Sequence, residues 1–153
     1  MNVTFELDGE QQTVETPPDR PLRELLRQEC DRKSVKTGCD SGRCGSCTVL
    51  LDGAAVKSCL VMAAQVNSRS VTTVEGIDDG SLGREVQDAF EEAFAIQCGY
   101  CTPGFVLSGL SYLRDNPDAD REELRAALSG NVCRCTGYEK ILDAVERTAG
   151  TSD

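Results

Sequence analysis

The chain has 153 residues, with 16 basic and 26 acidic side chains, no histidine, no tryptophan and a formal charge of −10. That balance excludes a nucleic-acid partner, which needs clustered lysine and arginine against phosphate, and no apolar run approaches the length that spans a bilayer. A content of 39% hydrophobic and 5% aromatic residues is thin for self-sufficient cores, so two small modules are expected, partly fastened by metal or by partner subunits.

The first module, residues 1–76, opens with Val3, Phe5 and Leu7 alternating with polar neighbours, the period of a strand buried on one face. Asp8-Gly9 is a hairpin signal into Gln11–Glu15. After Pro17-Pro18, Pro21 suits the first position of a helix whose stripe is Leu22, Leu25 and Leu26, ending near Gln28. Next comes a nine-residue loop, Cys39-Asp40-Ser41-Gly42-Arg43-Cys44-Gly45-Ser46-Cys47, followed by Cys59. Its C-x4-C-x2-C opening is the spacing of plant-type ferredoxins, whose four thiolates hold a 2Fe-2S cluster. The two glycines allow left-handed turns that aim backbone N–H groups at an anionic centre. Thr48–Leu51 and Ala55–Lys57 flank Asp52-Gly53 as a second hairpin, and Ser70–Val74 reads as a further strand. A mixed sheet packed on a helix, with a metal loop at one edge, is the expected architecture.

The second module, residues 77–153, changes to helical periodicity. Leu82, Val86, Phe90, Ala93 and Phe94 form one stripe running to Gln97. Thr102 as N-cap with Pro103 opens a second helix, stopped by Asn116-Pro117. Asp120 with Glu123 is a capping box for a third helix, through Leu128. Thr136, three residues before Glu139, is expected to open a fourth, carrying Ile141, Leu142 and Val145. Between these lie Cys98, Cys101, Cys133 and Cys135, a second four-sulfur set. Cys101 and Cys135 are each expected just before a helix N-cap, where the positive end of the helix dipole favours an anion.

Nine cysteines also fit disulfides or zinc. The N-terminal residues lack a basic, then apolar, leader, so a reducing, cytoplasmic setting without disulfides is expected. Zinc is the stronger rival for Cys98, Cys101, Cys133 and Cys135, although Cys133-Arg134-Cys135 is a less usual zinc spacing than C-x2-C. Cys30, outside both sets, is read as a buried packing cysteine.

Three blocks carry a closer likeness: Gly38-Cys39 with Cys44-Gly45-Ser46-Cys47-Thr48-Val49-Leu50, then Gln97-Cys98-Gly99-Tyr100-Cys101-Thr102-Pro103-Gly104, then Asn131-Val132-Cys133-Arg134-Cys135-Thr136-Gly137-Tyr138. Over nearly its whole length the chain resembles the iron-sulfur small subunit of the xanthine dehydrogenase and carbon monoxide dehydrogenase family of molybdenum hydroxylases. The resemblance implies an α+β protein: a β-grasp, plant-ferredoxin-like domain followed by an all-α four-helix domain. Each domain would hold one 2Fe-2S cluster, with the helical one nearer the molybdenum. It further implies that Gln97 and Cys135 contact the pterin of the molybdenum cofactor. The implied partners are a large subunit carrying molybdenum with molybdopterin cytosine dinucleotide and a medium subunit carrying FAD, commonly assembled as a dimer of heterotrimers. The chain itself has no P-loop and no G-x-G-x-x-G, so its expected role is electron transfer without a catalytic residue. A free-standing soluble ferredoxin, and an interaction module with structural zinc, are the other readings the residues allow.

Overall fold

The computed structural model describes residues 1–150. β1 (Asn2–Leu7) and β2 (Glu10–Glu15) form an antiparallel hairpin. Its turn places Asp8 and Gly9 at φ 52° and 84°, the left-handed region that Asp and Gly enter at least cost. Asp52 and Gly53 use the same device between β3 (Thr48–Leu51) and β4 (Ala54–Lys57). β5 (Ser70–Thr72) runs parallel to β1 and antiparallel to β3, giving a mixed sheet of order β2-β1-β5-β3-β4.

One face of this sheet holds the first core. Val3, Phe5 and Leu7 of β1 meet Leu22, Leu25 and Leu26 of α1 (Leu22–Gln28), with Val49, Leu51 and Val71. Pro21 stands one place earlier than expected, as the residue before the helix, and forms a lone β-bridge with Met62. β5 is shorter than the expected Ser70–Val74, because Thr73 turns its amide and hydroxyl to the Asp8 carboxylate and Val74–Gly76 forms a 3-10 turn.

The second half carries α2 (Leu82–Glu92), α3 (Thr102–Asp115), α4 (Arg121–Ala127) and α5 (Glu139–Thr148). Their apolar stripes meet in a second core that includes Val86, Phe90, Phe105, Val106, Leu113, Leu124, Ile141 and Val145. β3 joins the two halves. All four of its residues are buried, and while Val49 and Leu51 face the first core, Leu50 points the other way onto Leu107 and Leu110 of α3, as the two-residue period of a strand requires.

α3 begins one residue earlier than expected, with Cys101 instead of Thr102 as its N-cap, and two other helix boundaries are displaced further. α2 ends at Glu92 instead of Gln97, because Phe94 adopts φ 54°. The Phe94 amide then bonds Glu91 O at 3.1 Å and the Ala95 amide bonds Phe90 O at 2.9 Å, the paired closing bonds of a Schellman motif with phenylalanine where glycine is usual. Phe94 therefore lies outside the buried stripe and is 74% exposed. α5 starts at Glu139 instead of Thr136. Gly137 and Tyr138 both take left-handed φ, 68° and 74°, and the Thr136 hydroxyl is engaged with Cys133 Sγ at 3.1 Å, so it caps no helix. The Asp120 box does form, with Asp120 accepting from the Glu123 amide and Glu123 from the Asp120 amide, both at 2.9 Å.

Candidate metal centres

The loop from Cys39 to Cys47 is bent by left-handed residues at Asp40, Gly42 and Gly45. Three amides converge on Cys39 Sγ: Ser41 at 3.4 Å, Arg43 at 3.2 Å and Cys44 at 3.3 Å. The Ser41 side chain and these amides stabilise the thiolate and pull the Cys39 thiol down to about 6. Gly38 precedes this loop because a Cβ there would strike Cys44 Sγ. Cys59 arrives from the segment after β4. The Ser58 hydroxyl donates to Cys47 O at 2.6 Å, which sets Cys59 beside Cys47. Burial pushes the Cys59 thiol up to about 11, helped by its hydrogen bond with Cys47.

Sequence reasoning passed over Arg23. Its residue is 7% exposed, its amide donates to Ser58 O at 3.1 Å, and its guanidinium binds Asp40 and Glu24. It thus spans the neighbours of two cysteines, Cys39 and Cys59, with its Nε buried and unpartnered. Only its place beside the leucine stripe hinted at burial, and an arginine there reads as solvent-facing.

In the second half the four sulfurs gather in twos. Cys135 Sγ lies 3.6 Å from Cys98 Sγ, both residues exposed. Cys101 hydrogen-bonds Cys133, which is buried. Burial and that bond push the Cys101 thiol up to about 12. Cys133 moves the other way: burial opposes its ionisation, but the Thr136 hydroxyl and amide outweigh it and lower its pKa. The Cys135 thiol is raised, first by its hydrogen bond with Cys98. Cys101 is itself the N-cap of α3, so the helix-dipole argument holds for it. Cys135 lies a full turn of loop before α5, and for it that expectation is corrected: the left-handed pair Gly137-Tyr138 separates it from the helix start.

The donor set fits binuclear iron-sulfur centres. Among the described residues no three His, Cys, Asp or Glu side chains converge as ligands of a single ion. Each iron of a 2Fe-2S cluster takes two thiolates, and the contacts Cys98–Cys135, Cys101–Cys133 and Cys47–Cys59 are such pairs. Gln97 stands exposed beside the outer pair. Cys30 is half-buried against the first core, apart from both sets, and its thiol is raised by burial.

The two loop systems touch. The Val132 amide donates to Cys44 O at 2.8 Å, Asn131 Nδ2 donates to Gly45 O at 3.2 Å, and the Tyr100 hydroxyl donates to Thr37 O. Lys36 lies over the Tyr100 ring at 5.8 Å.

These features define a class, a two-part iron-sulfur protein for electron transfer. The chain matches the model of a 2Fe-2S iron-sulfur cluster binding domain over residues 5–76 and that of a 2Fe-2S binding domain over residues 73–146. It is 46% identical over 145 residues to the nicotine 6-hydroxylase small subunit of Paenarthrobacter nicotinovorans, covering 95% of this chain and 87% of that one. It is 42% identical over 148 residues to the xanthine dehydrogenase iron-sulfur-binding subunit of Escherichia coli O157:H7, covering 95% and 92%. Among solved structures, quinoline 2-oxidoreductase from Pseudomonas putida 86 superimposes with a TM-score of 0.90 at 40% identity, over 97% of this chain and 92% of that one. The chain belongs to the family of iron-sulfur small subunits of the molybdenum hydroxylases.

Proposed function

We propose that this chain relays electrons from a molybdenum-pterin centre on a large subunit to FAD on a medium subunit, in a dimer of heterotrimers working in the cytoplasm. Residues 1–76 form a β-grasp domain that holds one 2Fe-2S cluster through Cys39, Cys44, Cys47 and Cys59. The second domain, bounded at residues 77–153, of which 151–153 lie outside the described residues, is a four-helix domain that holds the other through Cys98, Cys101, Cys133 and Cys135. When bound, these clusters supply one-electron chemistry.

The protein's own groups set binding, potential and insulation. Amides on Cys39 Sγ and the Thr136 hydroxyl and amide on Cys133 Sγ stabilise thiolate charge and act as levers on the potential. The exposed Cys98 and Cys135 with Gln97 form the outward face, where Gln97 and Cys135 would meet the pterin, the amide serving as donor and acceptor. The buried Cys133 faces inward. The observation that carries this reading is the pairing of the sulfurs, outer with outer and inner with inner.

The test is iron, zinc and acid-labile sulfide per chain in anaerobically purified protein, with electron paramagnetic resonance after partial reduction. About four irons and two distinct spin signals support two binuclear centres. About two irons with stoichiometric zinc and a single signal would reassign Cys98, Cys101, Cys133 and Cys135 to a structural site.

A further inference from the structure

Position 23 falls in the first turn of α1, beside Leu22, Leu25 and Leu26, all of them fully buried. The Arg23 side chain is only 9% exposed, yet its Nε is buried with no partner. Desolvating a cation and leaving a donor unmet both cost free energy, and a well-packed apolar side chain of similar volume often serves a core at least as well. Stabilising the first core is therefore a poor account of this arginine. Its contacts lead instead to the cysteine-bearing segments. Nη1 donates to Asp40 Oδ1, and Nη2 donates to Glu24 Oε1 at 3.0 Å. Its backbone amide donates to Ser58 O at 3.1 Å. Ser58, itself fully buried, turns its amide and its hydroxyl to Cys47 O, at 3.3 Å and 2.6 Å. Asp40 follows Cys39, and Ser58 precedes Cys59.

We propose that Arg23 is the positioning residue of the first sulfur set, locking the Cys39 loop and the Cys59 segment to α1 through its side chain and its backbone together. This rests on the reading that Cys39, Cys44, Cys47 and Cys59 share one centre. The side chain acts on the loop at Asp40, which sits at φ 53°, a left-handed conformation that costs an aspartate free energy. Ser41, Arg43 and Cys44, whose amides converge on Cys39 Sγ, follow within a few residues. If Asp40 relaxed to extended backbone, those amides would swing off the sulfur. A charge-assisted bond from a guanidinium packed in place holds Asp40 where it is. Asp40 is itself 56% exposed, so the pair adds little to global stability, and its effect is confined to the loop. The backbone end works on the other segment. The first turn of α1 fixes the Ser58 carbonyl, and with it the direction in which the chain carries Cys59 toward Cys47. One residue thus sets Cys39 against Cys47 and Cys59 from a rigid element, which is how a ligand set is preorganised.

The experiment uses the full chain in its purified complex and follows iron released to a chelator. The electron paramagnetic resonance signals of the reduced protein report which centre is lost, and thermal unfolding reports the fold. Asp40→Asn keeps a residue that enters the left-handed region readily and removes the charge. Arg23→Met keeps an apolar stem and removes the guanidinium, and Arg23→Lys keeps a charge without the planar fork. In Asp40→Asn and Arg23→Met the same one signal is expected to decay about tenfold faster than in the unmodified protein, the factor set by losing a hydrogen bond to a charged group. The other signal should persist, and the thermal midpoint should stay level or, in Arg23→Met, rise. The double variant should release iron no faster than either single one, because both side chains act through one contact, and Arg23→Lys should fall between. Hydrogen exchange in the same complex should show the segment carrying the Ser41, Arg43 and Cys44 amides losing protection in step. Unchanged release in Asp40→Asn overturns the proposal whether or not Arg23→Met folds. A lowered midpoint with both signals lost together also overturns it, since Arg23 would then serve the fold alone. Fewer than two signals in the unmodified complex would defeat the underlying reading of two centres, a separate result.

Discussion

The carboxylate of Asp8, in the turn of the first hairpin, holds Thr73 by two hydrogen bonds: Oδ1 accepts the Thr73 amide at 2.7 Å and Oδ2 accepts its hydroxyl at 2.9 Å. Oδ2 also accepts from Arg32 Nε at 2.7 Å, and the Asp8 side chain is only 6% exposed. One carboxylate thus ties the hairpin to the start of the connection into the helices. Asp8→Ala leaves a buried amide and hydroxyl unmet and is expected to cost about 1–3 kcal/mol. A lowered thermal midpoint with unchanged iron content would bear this out; an unchanged midpoint would count against it.

Leu50 is 1% exposed and is the β3 side chain that turns toward α3. Leu50→Ala opens a cavity between the halves and is expected to cost about 2–5 kcal/mol. Because Leu50 lies off the first core, the loss should show first as weakened protection of the α3 amides in hydrogen exchange.

Cys101 is the N-cap of α3 and hydrogen-bonds Cys133. In Cys101→Ser the complex is expected to lose about two irons per chain and one spin signal, and with them electron delivery to flavin. Delivery that survived loss of that signal would contradict the proposed relay.

In metal-free protein the cysteines should differ sharply in reactivity. Cys39 lies near 6 and Cys101 near 12, so at neutral pH Cys39 is mostly thiolate and should alkylate at least about tenfold faster than Cys101. The linkage follows in sign. Cys39 is depressed from its ordinary 9.0, so its stabilising contribution is complete above pH 9 and is lost as pH falls through about 6. Cys59 and Cys101 are raised to about 11 and about 12, so they weaken the fold as pH climbs above 9. The contribution of these three cysteines to the melting temperature of the metal-free protein is therefore expected to be greatest near pH 9, as followed by circular dichroism in variants with each replaced by serine.

Much of this was legible because it is local. Asp8-Gly9, Asp52-Gly53 and the Asp120–Glu123 box each need only a few neighbouring residues to specify their geometry, and all three form. The cysteine spacings pointed to two sulfur sets for the same reason. Three other features depend on contacts distant in sequence: the parallel pairing of β1 with β5, the burial of Arg23 behind the first loop, and the seat of Asn131 between the halves. Thr136 shows how a local signal fails. Its spacing to Glu139 is right for a cap, but Cys133 Sγ offers its hydroxyl another partner. Phe94 shows the converse, since its aromatic ring continued a helical stripe while its backbone closed the helix.

The bare meeting of Gly45 with Gly104 also limits how such a chain can be re-engineered. Each half has a counterpart in the relatives, yet Gly104 leaves the room that the Gly45 carbonyl occupies, and Gly45 leaves the room that Asn131 and Gly130 O occupy. A chimera keeps this seam closed only when the donor of the first half brings glycine at 45 and the donor of the second half brings glycine at 104. The seam between the halves is therefore inherited as a unit, and swapping must cut elsewhere.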